Sequence, residues 1–290
     1  MTRIPLLALL PLLALLAACS PRRAAELLLL GDQTVRTRDV AYGTGARQLL
    51  DVYRPRAAGR PAPVVVFLYG GRWQRGSKDE YALVAGALVR RGVVVVVPDV
   101  RLAPGALFPA WVDDAARAVR WTRDNAARFG GDPAHLVVVG HSAGAHTATL
   151  LALDTSYLAR AGVPRGVLRG AVSLAGPVDT TWTDADVQAL MGPRDGWPAS
   201  YPVSHLRGGG PPLLLLHGAD DGTVLPLNSV RLARRIRDRG GCARAVVYPG
   251  LGHIRIVVAL GLPALSTAPV LDDVARFVRR PAALSCGSRQ

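Results

Sequence analysis

The chain has 290 residues, half of them hydrophobic, and a formal net charge of +14. That apolar content excludes a disordered polyelectrolyte and suffices for the core of one α/β domain. The charge is arginine throughout except for Lys78 and is spread along the chain, which excludes a dedicated nucleic-acid-binding tract and leaves weak attraction to anionic headgroups as its expected consequence.

Residues 1–18, "MTRIPLLALLPLLALLAA", hold Arg3, a leucine-rich stretch and then small residues. This is the layout of a signal peptide, and it is short for a membrane span, which needs ~20 apolar residues. The "LAAC" at 16–19 resembles the lipobox of bacterial lipoproteins. The resemblance implies cleavage before Cys19, acylation of that residue with palmitate-type chains, and a membrane-held protein of the cell envelope on the periplasmic side. Ser20 in the next position fits outer-membrane sorting where the cell has two membranes. Residues 19–34 then form a tether. With Cys19 acylated, Cys242 and Cys286 remain in a compartment that permits disulfides; their spacing leaves open whether they pair. There is no CxxC, so thiol-redox and zinc roles are not expected.

Past the tether, apolar runs alternate with amphipathic ones. The strands are expected at 35–42, 48–53, 63–69, 92–98, 135–140, 169–175, 212–217 and 243–248. From residue 63 onward they are mostly continuous valine or leucine, as in "PVVVFLY" and "GVVVVVP", the signature of strands covered on both faces. Helices are expected at 78–91, 109–129, 143–153, 227–239 and 268–280, the fourth stopped by Gly240–Gly241. The alternation predicts an α/β fold with a mostly parallel central sheet and helices on both faces, as one domain over 35–282 with a tail at 283–290. Residues 177–207 interrupt the pattern with Trp182, Trp197 and Tyr201 among Pro, Gly and Asp. An irregular insertion of this length in a small domain is expected to serve function, as a lid.

"VVVGHSAGAH" at 137–146 places Ser142 in G-x-S-x-G between a strand and a helix. There the serine sits on a sharp turn, and the amide of Ala143 at the helix N-terminus faces the oxygen that gains charge. A hydroxyl needs a base to take its proton. His146, His205, His217 and His253 follow it; His146 lies in the nucleophile's own helix, and His217 ends a strand. His253, in the glycine-loosened "YPGLGH" after the last strand, is the expected base. The acid is expected after the 212–217 strand, where "HGADDGTVLP" offers Asp220 and Asp221 side by side.

These motifs, together with "FLYGGRW" at 67–73 and "PDVRLAPGALFPAWVDDAARAVRW" at 98–121, resemble the α/β-hydrolase superfamily. The nearest likeness is the branch of serine carboxylesterases, arylformamidases and prenylcysteine methylesterases, over roughly residues 45–280. The resemblance implies a Ser142–His253–Asp221 triad, with Asp221 at the family's HG-x-x-D-x-x-V position. It also implies an oxyanion hole from the amides of Gly71, Arg72 and Ala143, with no metal or organic cofactor. A small carboxylic ester is the implied substrate, with Trp73, Trp182 and Trp197 as expected contacts. Arylformamidase-like amide hydrolysis and an idle ligand-binding lipoprotein are the other readings. The oxyanion loop departs from the family's HGGxW in having Tyr69 for histidine. Arg72 has two readings, a clamp for an anionic ester, or a side chain that points into solvent or pairs with an acidic neighbour such as Asp79 or Glu80.

Overall fold

The computed structural model describes Leu30, residues 33–57 and residues 59–286. The signal segment, Cys19, most of the tether and residues 287–290 lie outside the described residues. The strands are β1 (Thr34–Ala41), β2 (Leu49–Pro55), β3 (Ala62–Leu68), β4 (Val94–Pro98), β5 (Gly131–His141), β6 (Leu168–Leu174), β7 (Leu213–Gly218) and β8 (Ala243–Tyr248). They form one sheet in the order β1-β2-β4-β3-β5-β6-β7-β8. β3 to β8 run parallel, and the hairpin β1–β2 is joined antiparallel to β4.

The valine runs follow from double coverage. Val64, Val66, Val94, Val96, Leu136 and Val138 point into one core. Their immediate neighbours Val65, Val95, Val97, Val137 and Val139 point into the other. Period-two alternation thus carries apolar residues to both faces, and no polar position is left in the run. The second core is covered by α1 (Ala82–Val89), and the first by α2 (Ala110–Asn125) and α3 (Ala143–Leu153). Two short helices, α4 (Thr155–Arg160) and α5 (Ala185–Leu190), come next, α5 inside the insertion with α6 (Trp197–Ser200). α7 (Leu227–Asp238) returns to the first face through Leu232, Ala233 and Ile236. α8 (Arg255–Gly261) and α9 (Val270–Arg279) close the second.

The single helix expected over 78–91 is divided, with a 3-10 turn at Lys78–Tyr81 before α1. Lys78 explains the break. It is buried, with Nζ 2.6 Å from Asp39 Oδ1 and 3.0 Å from Asp51 Oδ1, so the turn is held against β1 and β2. α4, α5, α6 and α8 were not expected. The sequence of α8, "RIVVALG", is β-branched at its centre, and its helix is set by packing of Ile256, Ala259 and Leu260 into the second core, where tertiary burial outweighs propensity. Cys242 and Cys286 are joined as a disulfide with their Cα atoms 5.0 Å apart, which ties the C-terminal segment to the start of β8.

Candidate active site

Because β3 to β8 are parallel, their carboxyl ends share one edge, and loops leaving that edge meet above it. β5 ends at His141 and delivers Ser142; the loop after β7 delivers Asp221; the loop after β8 delivers His253. Ser142 has φ 54° and ψ −119°, a conformation that costs a non-glycine residue on the order of 1–3 kcal/mol. Its surroundings enforce it. A Cβ on Gly140 would lie 2.2 Å from the carbonyl oxygen of Gly144, and one on Gly144 would lie 2.1 Å from that of Leu68. The two glycines let strand, turn and helix close on one another, and the Ser142 amide donates to Leu174 O at 2.9 Å.

His253 Nε2 lies 2.8 Å from Ser142 Oγ, and His253 Nδ1 lies 2.8 Å from Asp221 Oδ2. Asp221 is buried, and its Oδ1 accepts the amides of Thr223 and Val224, both at 2.9 Å. Burial is the largest influence on this carboxyl and acts to raise its pKa. Hydrogen bonds from His217, His253 and the Val224 amide together outweigh it and hold the group well below the usual carboxylate range. Asp220, the adjacent candidate, is exposed and has no such partners among the described residues.

The remaining histidines have other tasks. His146 is buried, and its Nε2 donates to Ser200 O at 2.7 Å, in the insertion. His205 lies 3.0 Å from Ala199 O. His217 Nε2 is 2.8 Å from Val224 O and 3.2 Å from Asp221 Oδ2, while its Nδ1 meets Ser229 Oγ at 2.8 Å. His141, next to the serine, is directed at His253 O at 2.9 Å. A carbonyl only accepts, so His141 Nε2 carries the proton and fixes the backbone of His253. These two supports were not picked out in the sequence. The signal for one was present, since histidine fills the x of G-x-S-x-G.

Burial depresses the pKa of both His141 and His146 to about 4. Both are therefore neutral in the fold, whereas the unfolded chain protonates them below pH ~6.5. The stability this gives is complete above pH ~6.5 and is lost as pH falls toward 4, by about 3 kcal/mol for each ring. Urea unfolding at pH 7 and pH 4.5 checks this. His146→Gln should remove close to half of the decline, and an unchanged decline would contradict it.

On the opposite side of Ser142, Gly71, Arg72 and Trp73 have φ of 126°, 56° and 60°. A Cβ on Gly71 would lie 2.1 Å from Arg75 O, so only glycine fits. The amides of Gly71, Arg72 and Ala143 have no protein acceptor among the described residues. Tyr69, where the family has histidine, braces the loop from below. Its hydroxyl lies 2.9 Å from Asp99 Oδ1 and 2.9 Å from Arg47 Nη2, and Arg47 also reaches Gly76 O at 2.8 Å.

The Arg72 side chain is an exposed partner of acidic residues, as the second reading expected, but its partners are other ones than Asp79 and Glu80. Its Nη2 meets Asp186 at 2.7 Å and Asp184 at 3.1 Å, both at the start of α5 in the insertion. Asp79 is engaged with Arg36 instead. With two carboxylates already on its guanidinium, Arg72 is not a free anion clamp. Arg72→Gly should change kcat/KM equally for a neutral ester and a matched ester bearing a carboxylate. A loss confined to the anionic ester, shrinking in high salt, would restore the clamp.

The expected tryptophan contacts are placed unevenly. Trp73 and Trp182 are each only 6 % exposed and pack edge-on with ring centroids 5.6 Å apart, around the His146 ring. Trp182 Nε1 donates to Ser200 Oγ at 2.6 Å. Trp73 from the Gly71–Trp73 loop and Trp182 from the insertion thus form a buried aromatic contact with His146, and Trp73 also lines a cavity of about 20 Å³ beside Gly70 and Ala143. Trp197 is half-buried and spends its Nε1 on Gly192 O at 2.9 Å.

The sequence pattern of the BD-FAE family matches residues 50–236, more than half of the chain. Esterase LipQ of Mycobacterium tuberculosis is 31 % identical over 237 residues, covering 74 % of this chain and 56 % of its own length. The chain spans little more than half the length of the first relatives it matches. Among solved structures, a truncated carbohydrate esterase from gut microbiota superposes with a TM-score of 0.73 at 22 % identity, covering 86 % of this chain and 97 % of that one. A hyperthermophilic esterase from Pyrobaculum calidifontis superposes with a TM-score of 0.70 at 25 % identity, covering 90 % and 92 %. The chain belongs to the BD-FAE family and has the α/β-hydrolase fold.

Proposed function

We propose that this protein is a serine hydrolase that cleaves small carboxylic esters through an acyl-enzyme. The observation that carries the reading is the unbroken hydrogen-bond chain from Ser142 Oγ through His253 to Asp221. His253 Nε2 takes the proton of Ser142 as Oγ attacks the ester carbonyl. The charge that develops on the carbonyl oxygen is met by the amides of Gly71, Arg72 and Ala143, which need no reorganisation at that moment. Asp221 keeps the Nδ1 proton of His253 in place and stabilises the imidazolium. His253 then protonates the departing alkoxide. A water molecule, deprotonated by the same nitrogen, splits the acyl-serine and restores the hydroxyl.

The esterase names of LipQ and the Pyrobaculum protein support an ester over an amide. A panel of p-nitrophenyl esters of rising acyl length beside N-formyl aromatic amides tests the assignment. Turnover of short acyl esters well above the formamides is expected. Preferred cleavage of the formamides would reassign the enzyme to the arylformamidase kind.

The same reading places the enzyme on a membrane through acylated Cys19, supported by "LAAC" after an apolar segment. In fractionated cells the wild type should sediment with membranes and require detergent for release, while Cys19→Ala should not be acylated. A wild type recovered wholly in the soluble fraction would contradict the anchor.

A further inference from the structure

The edge of the sheet opposite Ser142 has a character of its own. The loops that precede the parallel strands converge there, and they carry exposed arginines: Arg60 before β3, Arg128 before β5, Arg165 before β6, Arg207 before β7 and Arg239 before β8. A groove of about 1480 Å³ opens at this edge, bounded by the starts of β5, β6 and β7 and by the end of α9. Arg165, Arg169, Arg207, Arg279 and Arg280 line it. Arg279 reaches Arg91 O at 3.4 Å. The other four have no carboxylate or hydrogen-bond partner for their side chains among the described residues.

Two carboxylates, Asp132 and Asp154, share the groove lining, and both are turned to local use. Asp132 accepts the Ala134 amide at 2.9 Å. Asp154 accepts the Ser156 amide at 3.0 Å and lies 3.5 Å from His205 Nδ1. Guanidinium groups clustered at one edge repel one another, and among the described residues no carboxylate lies within ion-pair distance of these four. Their planar donors match phosphate oxygens.

The path of the chain points to the source of that phosphate. Thr34 pairs with Pro55 and Leu50 with Pro98, so β1 begins at the edge where the parallel strands also begin. Leu30, buried against Gly86 in the second half of α1, fixes the chain just before it. Cys19 is eleven residues earlier, which at ~3.3–3.6 Å per residue allows at most about 40 Å of reach. The chain thus leaves the fold at the basic edge, and the proposed anchor brings that edge within reach of the bilayer.

We infer that this edge is a docking surface for anionic phospholipid headgroups, with Arg165, Arg169, Arg207 and Arg280 as its contacts. Docked this way, the site around Ser142 faces away from the membrane across the roughly 20 Å length of a six-residue strand. It then draws on esters dissolved in the compartment rather than on the lipids beneath. The arginine cluster is independent of the catalytic reading, and the test reads binding, so a failure of one is distinguishable from a failure of the other.

The test uses the full chain and two kinds of vesicle, phosphatidylcholine alone and phosphatidylcholine mixed with phosphatidylglycerol. The apolar N-terminus partitions into both, so the readout is the ratio of the two affinities. A basic residue near an anionic surface adds about fivefold, which for four arginines predicts a ratio of at least ~100, collapsing in high salt. Reversing all four to glutamate should bring the ratio close to one, while p-nitrophenyl ester turnover in the same variant confirms its fold. Reversing Arg194, Arg231, Arg234 and Arg255 makes the same change in net charge elsewhere and should leave most of the preference. Equal binding to both vesicles, a preference that survives the first reversal, or equal losses from both reversals would overturn the inference. So would displacement from the vesicles by low concentrations of free inorganic phosphate, which would make the groove a pocket for a soluble anion.

Discussion

Ser142→Ala should lower kcat for a p-nitrophenyl ester by about 10⁶, the scale seen when the serine of subtilisin's triad is removed. The loss is that large because, among the described residues, Ser142 Oγ at 2.8 Å is the only side-chain partner of His253 Nε2. The variant should fold as the wild type does, because alanine retains a Cβ in the same strained turn. Ser142→Gly supplies a second readout. Glycine adopts φ 54°, ψ −119° without the side-chain clash, so this variant should unfold at higher temperature than Ser142→Ala while being equally inactive. An alanine variant that retains a tenth of the activity would remove Ser142 from the mechanism.

Asp221→Asn should lower kcat by about 10⁴, as neutralising a triad aspartate does in a serine protease. The geometry gives the reason. The Oδ1 of Asp221 accepts two backbone amides, from Thr223 and Val224, and an asparagine oxygen will keep that position. Its NH₂ then faces His253 Nδ1 and donates to it, forcing the proton of the ring onto Nε2. That nitrogen points at Ser142 and cannot accept while it carries a proton. Asp220→Asn, one residue away on the exposed side of the loop, should cost less than tenfold. The opposite ranking, read from kcat at saturating ester, would reassign the acid.

Much of the fold was legible because its strands are extreme. Runs such as "VVVVVP" admit no amphipathic helix, and eight strands were expected close to where eight are found. What was not legible was structure imposed from a distance. α8 follows His253 and has a β-like composition, and only the core beneath it makes it helical. Lys78 broke a helix because Asp39 and Asp51, far away in sequence, claimed its charge.

The candidate site divides the same way. Ser142 is marked locally, because two small residues flank a turn that nothing larger can make. His253 and Asp221 are marked by position after the last two strands, and the fold brings both to the serine. The partners of those residues are long-range. His217 lies beside Asp221, His141 holds the His253 carbonyl, and Asp184 and Asp186 occupy Arg72. Each depends on which loops meet at the sheet edge, which spacing alone does not state. Trp73, Trp182 and Trp197 were expected as substrate contacts, Trp73 from the glycine loop and the other two from the irregular stretch 177–207. The contact of Trp73 with Trp182, which joins the glycine loop to that stretch, is again long-range.

The measurement that bears most directly on the central claim is covalent capture. The protein is treated with a fluorophosphonate, its intact mass is recorded, and the modified peptide is sequenced. One adduct per chain, on Ser142 within "GHSAG", formed at a rate that drops in Asp221→Asn and absent from Ser142→Ala, is the predicted result. An unmodified protein that still hydrolyses the ester, or an adduct that persists in Ser142→Ala at the wild-type rate, would contradict it.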